Sequence, residues 1–343
     1  LNLINRKNLF FFLILTTLTA CQLQTAAVTT PTTQVVETTI SPVENVGLDQ
    51  TTPVQSETPA PAVTKTFAEV SKTPLLSPVV PTTTPTATIQ VTPTEDTRLL
   101  PNDWRNWPII PTLSPQAYQI YQKGLSMGND PARFSVIGDC QSVPEVFLGV
   151  YETDWYWLGD DYSYLEETID AFPGSFSHES LAVKGGMSTS TALSPLWADQ
   201  EKCSNNESPV ECELRDYQPS IVFINLGTNW RADASTVPYE EYLRKIVDIV
   251  IDHGTLPILL TKADNIEGDY SINLITAKVA YDNDVPLVNF WMAAQYLKNK
   301  GLDASKDNIY LTPDGWDQRN FVALESLDAV RRQIAVYEGM NTP

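Results

Sequence analysis

Three places along the chain combine residue types that could carry an acyl-transfer reaction. Gly138-Asp139-Cys140 follows the apolar run Phe134-Ser-Val-Ile137, so a thiol stands where a buried strand gives way to a turn. A thiol with a pKa near about 8.5 is a few per cent thiolate at neutral pH and needs less help from a base than a hydroxyl does. Gly227-Thr228-Asn229 ends a second apolar run, Ile221 to Leu226. The Asn229 amide could stabilise a developing oxyanion, an interaction worth on the order of 3 kcal/mol of barrier. Asp307-Asn-Ile-Tyr310 sets a carboxylate and a phenol ahead of Leu311-Thr-Pro-Asp-Gly-Trp316. The whole chain holds two histidines, His178 and His253, and neither is next to these blocks. His253 ends a helical stretch and reads as structural. His178, in Phe176-Ser-His-Glu179, could reach the site from a loop. A phenol titrates near about 10 and is a poor proton acceptor at pH 7.

The elements that must position these blocks alternate. Phe134–Ile137, Leu181–Val183, Ile221–Leu226, Leu256–Leu260 and Val285–Phe290 are short, rich in β-branched residues and bounded by Gly, Asp or Pro, which predicts strands. Tyr239–His253 carries Tyr242, Ile246, Ile249 and Val250 at helical spacing and stops at Gly254. Ile272–Tyr281, Trp291–Lys298 and Asp317–Tyr337 are the further predicted helices. Such alternation argues for a parallel sheet covered on both faces, with ligands bound beyond the carboxyl ends of its strands.

With these blocks in this order, residues 133–336 resemble the SGNH, or GDSL-type, hydrolases, a family of esterases, lipases and carbohydrate deacetylases. The resemblance implies an α/β, flavodoxin-like three-layer fold with a five-stranded parallel sheet, no cofactor and no catalytic metal. Cys140 then stands in the place of the nucleophilic serine. Gly186, or Thr189 in another register of Val183-Lys-Gly-Gly-Met-Ser-Thr-Ser190, would supply a backbone donor to the oxyanion hole and Asn229 a side-chain donor. Asp307 keeps the place of the acid and Tyr310 stands where the family has its histidine. A second register pairs Asp314 with Asp317 and lacks a histidine as well. Replacing serine and histidine together removes both members of the proton-transfer pair.

Composition divides the chain into three zones. Residues 1–21 read as an export signal: Asn5-Arg-Lys7, a short apolar core, then Leu18-Thr-Ala-Cys21, which resembles a bacterial lipobox with Cys21 as the lipidated residue. Residues 22–98 are Thr-, Pro-, Val- and Ala-rich without apolar period, the composition of a disordered stalk. Residues 99–343 form the folded domain. This zone carries 35 of the 42 acidic residues and 17 of the 22 basic ones, so it offers no basic stripe for nucleic acid. Cys203 and Cys212 bracket a polar loop and read as a disulfide formed outside the cytoplasm. With Cys21 lipidated, Cys140 is left as an unpaired thiol.

The expectation is therefore an exported, lipid-anchored, monomeric domain that touches the membrane only through its anchor and takes a small-molecule or glycan acyl ester. Tyr151, Trp155, Tyr156, Trp157, Tyr162 and Tyr164 follow the nucleophile position, and flat aromatic faces suit sugar rings. They leave open a second reading, a ligand-binding domain without turnover; an inert display module is the third.

Overall fold

The computed structural model describes residues 96–341; the export signal, Cys21 and almost all of the stalk lie outside them. Four strands form its centre: β1 (Asp130–Gly138), β2 (Pro219–Asn225), β3 (Leu256–Leu260) and β4 (Leu287–Val288). They lie side by side in that order and pair in parallel, with Gly138 opposite Asn225, Ile224 opposite Leu259 and Leu260 opposite Val288. The predicted strand at Leu181–Val183 is reduced to one parallel bridge, Val183 to Gly138, on the free edge of β1. Its backbone turns away at once, because Gly186 adopts a left-handed conformation (φ +80°) that closes the segment after a single rung. The five-stranded expectation thus becomes four strands and a bridge. The last strand is also shorter than predicted. Asn289 ends it by accepting from Met292 N (3.2 Å) and donating to Trp104 O (2.9 Å), which starts a single helical turn, Phe290–Ala294, where Trp291–Lys298 is expected.

Five longer helices flank the sheet: α1 (Pro115–Met127), α2 (Pro209–Tyr217), α3 (Val237–Asp252), α4 (Ser271–Asn283) and α5 (Pro313–Asn341). Side chains alternate across a strand, and the core divides accordingly. Phe134, Ile221, Phe223, Ile258 and Leu260 pack with Tyr118 and Tyr121 of α1 and with Val322, Leu327 and Val330 of α5. On the other face Ile137, Val222, Ile224 and Leu259 pack with Leu214 of α2, Ile246 and Val250 of α3 and Ile272 and Val279 of α4. The result is a three-layer α/β sandwich.

Local chemistry fixes the helix ends. Ser114 accepts from Ala117 N (3.0 Å) and Pro115 opens α1. Ser208 and Glu211 form a reciprocal cap at the start of α2. A Cβ on Gly124 would come within 2.0 Å of Gly254 O, so α1 crosses the α3–β3 turn in backbone contact. Cys203 and Cys212 are joined, Cα to Cα 5.3 Å, and tie the acidic loop to α2. No helix among the described residues is long and apolar enough to cross a membrane.

Candidate active site

The three chemistry-bearing blocks meet at the carboxyl ends of the strands. Gly138 closes β1 because only a glycine fits there: a Cβ would sit 2.1 Å from Ser142 Oγ. Ser142 in turn accepts from Asn225 Nδ2 at the end of β2 (3.1 Å). Gln141, directly after Cys140, ties the blocks together. Its Oε1 accepts from Leu311 N (3.1 Å) and its Nε2 donates to Thr228 Oγ1 (3.3 Å). Cys140 therefore lies one residue from a group that holds both the Tyr310–Leu311 segment and the Gly227–Asn229 loop. Sequence reasoning placed these three blocks together, and the structure does so.

The side chains at these positions depart from the expected relay. Cys140 is disulfide-bonded, and none of the described cysteines is a free thiol. This corrects the expectation of an unpaired nucleophile, which followed from counting Cys21 as lipidated. Tyr310 is half-buried. Burial first, and the nearby charge of Asp139 second, push its phenol above its ordinary pKa, so it is neutral at pH 7. Asp307 is exposed with left-handed backbone (φ +55°), and no hydrogen bond joins it to Tyr310. Of the alternative acids, Asp314 is exposed on the first turn of α5 and Asp317 is exposed just after it. Asn229 Nδ2 donates to Met187 O (3.2 Å), which leaves its second N–H for another acceptor. On the facing segment Gly185 is the glycine against Cys140, since a Cβ there would lie 3.9 Å from Cys140 Cβ; Gly186 follows it in the turn. Thr189, the other candidate in that block, is buried with an unpartnered hydroxyl.

Both histidines are engaged elsewhere. His178 Nε2 meets the fully buried carboxylate of Glu213 at 2.8 Å, and its ring stacks on Tyr217 at 3.6 Å. That carboxylate also accepts from Leu181 N (2.7 Å) and from Ser135 in the middle of β1, upstream of Cys140. His253 follows α3 at the amino ends of the strands, where its Nδ1 lies 3.3 Å from Thr255 Oγ1. The cluster of Cys203, Glu207 and Cys212 has its ligand atoms close together, but both sulfurs are in the disulfide, so a single carboxylate remains.

Sequence reading missed a buried ionic group beneath the site. Lys262, two residues past β3, contacts Asp264 (2.5 Å) and Glu267 (2.7 Å), with all three side chains at most 5 % exposed. Thr228 Oγ1 donates to Asp264 Oδ2 (3.3 Å), which links this triad to the Asn229 loop. Arg319 of α5, also buried, donates to Gln141 O and Val146 O. Charged residues at helix and strand ends read as solvated from sequence; only the tertiary fold puts them inside.

Asp139 is the titrating group of this region. Burial raises its carboxyl to about 6, against the opposing effects of Gln141 N and the Arg319 charge. In the unfolded chain an aspartate titrates near about 3.9. The contribution to stability is therefore fully present below about pH 4 and lost as pH rises to about 6, because the unfolded chain gives up its proton first. That difference amounts to at most about 3 kcal/mol. Asp139→Asn keeps an oxygen to accept from Gln141 N. Denaturant unfolding at pH 4 and pH 7.5 is expected to show the parent losing about 2 kcal/mol more than this variant between the two conditions; parallel profiles would show that Asp139 does not titrate in this range.

No protein-family model matches the chain, and no curated protein does. Among solved structures, the chain is similar to a GDSL-like lipase from Bacteroides thetaiotaomicron at 16 % identity, over 62 % of this chain and 98 % of that one, with a TM-score of 0.39. It is similar to a protein from Bacteroides fragilis described as an acylhydrolase at 16 % identity, over 63 % and 97 %, with a TM-score of 0.41. A third is the psychrotrophic esterase EstA from Pseudoalteromonas sp., inhibited by monoethylphosphonate, at 16 % identity, over 58 % and 97 %, with a TM-score of 0.36.

Proposed function

We propose that residues 99–343 form an exported SGNH-type ester hydrolase domain, anchored by a lipid on Cys21, whose strand-end site takes a small-molecule or glycan acyl ester and whose hydrolytic triad is degenerate. The observation that carries the reading is the engagement of both histidines away from these blocks; Tyr310, at the place the resemblance gives to the histidine, is a neutral phenol. The Cys203–Cys212 bond supports export to an oxidising compartment.

The test is turnover of aryl acetates and acetylated sugars, measured with and without reductant so that the state of Cys140 does not decide the result. Without a relay, hydrolysis by the parent is expected to match that of a Cys140→Ala variant under both conditions. Fast turnover in reductant that disappears in Cys140→Ala would overturn the degenerate reading and make the chain a thiol esterase. The second reading, binding without turnover, is favoured by the polar cleft that adjoins the site.

A further inference from the structure

The space at the strand ends between Gln141, Thr228 and Leu311 is only about 10 Å³, and beside it lies a polar cleft of about 430 Å³, walled by Asn265, Tyr270, Asn299, Lys300, Asp307 and Asn308 over an apolar floor that includes Ile266 and Ile309. That volume lies within the range of small-molecule sites, about 300 to 1,000 Å³. The cleft and this small space share Ala263 and Ile309, and Leu311 on the strand-end side is held by Gln141. A ligand in the polar cleft therefore borders the Cys140 end of the sheet.

The polar groups of this cleft are fixed at one end and open at the other. Asn265 Oδ1 accepts from Tyr270 N (2.8 Å) and Asn308 Oδ1 from Asn299 Nδ2 (2.7 Å). Each asparagine is thus oriented with its Nδ2 donor still open. The Asp307 carboxylate and Lys300 Nζ also make no hydrogen bond or ion pair among the described residues. Tyr270 is rigid, wedged against Trp104 and Trp291 with ring centroids at 6.3 and 5.9 Å.

The backbone at the rim is strained in a paired way. Asn299 (φ +49°) and Lys300 (φ +55°) face Asp307 (φ +55°) and Asn308 (φ +57°), all in the left-handed region. For a non-glycine residue this costs on the order of 1 kcal/mol, least for Asn and Asp, and Lys300 has no short polar side chain to offset it. Strain of this sort collects where a ligand is clamped. The Leu302–Leu311 bridge and the Asn299–Asn308 bond hold the two turns together.

We propose that this cleft is a saccharide subsite, and that Asp307 acts there on sugar hydroxyls. The mixture of groups selects the ligand class. A phosphate or carboxylate would meet Asp307, and a cation would meet Lys300. A vicinal diol satisfies both, because each hydroxyl donates to a carboxylate and accepts from an amide or ammonium. The apolar floor receives the ring's C–H face. For its acyl half the inference rests on the proposed function and narrows that substrate to an acylated sugar.

The experiment is calorimetric titration of the full exported chain with cellobiose, maltose and N,N′-diacetylchitobiose, and with their O-acetylated forms. Saturable binding of a plain disaccharide is expected, with affinity lowered at least about tenfold by Asn265→Asp and by Asp307→Asn, about 1.4 kcal/mol each. Both changes preserve shape, and Asn265→Asp keeps the acceptor for Tyr270 N, so folding is retained and checked by thermal melting. Trp157→Ala, at a side chain 90 % exposed, serves as the control for stacking elsewhere on the surface. No saturable binding across the panel overturns the proposal, as does binding that Trp157→Ala abolishes and the two cleft variants leave unchanged. Equal affinity for plain and acetylated disaccharides keeps the subsite and removes the acyl-ester reading.

Discussion

Lys262→Met is expected to destabilise the domain by about 3 to 5 kcal/mol, because it strands two carboxylates inside the protein. Methionine matches the lysine stem in length, so the change is one of charge. Asp264 and Glu267 expose 3 % and 1 % of their side chains and have Lys262 as their salt-bridge partner. In a domain of this size a loss of that order lowers the melting temperature by about 10 °C. The effect should reach the site as well, since Asp264 holds Thr228, and Thr228 sits between Gly227 and Asn229. Neutralising the whole group by Lys262→Met with Asp264→Asn and Glu267→Gln should recover most of the stability, because neutral amides are far less costly to bury than unpaired charges. Measurement is by chemical denaturation of the three proteins. A loss below about 1 kcal/mol in the single variant would show that water reaches the carboxylates and that the triad is not a buried support.

Why the triad escaped the sequence while the sheet did not follows from what each signal depends on. The runs at 134–137, 221–226 and 256–260 are apolar on both faces, and only a strand buried between two helical layers needs that pattern. Their parallel order followed from the helices between them. Leu181–Val183 has the same composition but is followed by two glycines, and the chain leaves the sheet edge after one bridge. Local propensity does not report how long a strand lasts at an edge. The site was legible where it is made of backbone ends, as at Gly138 and Gly227. It was illegible where long-range partners decide the role of a side chain: Glu213 captures His178, and Gln141 ties Leu311 to Thr228. Cysteine counting failed for a related reason, since it assigned Cys140 by elimination and the structure has it bonded.

The double change Cys140→Ser with Tyr310→His is expected to raise hydrolysis of a small activated ester by about 10 to 100-fold over the parent. Gln141 Oε1 holds Leu311 N at 3.1 Å, so residue 310 is one position from that tether and residue 140 one position from it on the other side. Asp139 already acts on the Tyr310 phenol through its charge, which would favour the protonated imidazole formed during proton transfer. The gain has a ceiling, because no carboxylate is hydrogen-bonded at position 310 to fix the imidazole tautomer: Asp307 is exposed and lines the polar cleft. In subtilisin a serine and histidine without their aspartate retain roughly 10² of the triad's effect, and this sets the size expected here. Neither single change should gain measurably, since nucleophile and base act as a unit. Asn229 is unchanged in all four proteins and keeps one N–H open, so it does not bias the comparison. Initial rates on an aryl acetate, with circular dichroism to confirm folding, decide the matter. A well-folded double variant no faster than either single one would mean that residue 310 does not reach the nucleophile's proton, and the assignment of Tyr310 to the histidine's place would fall with it.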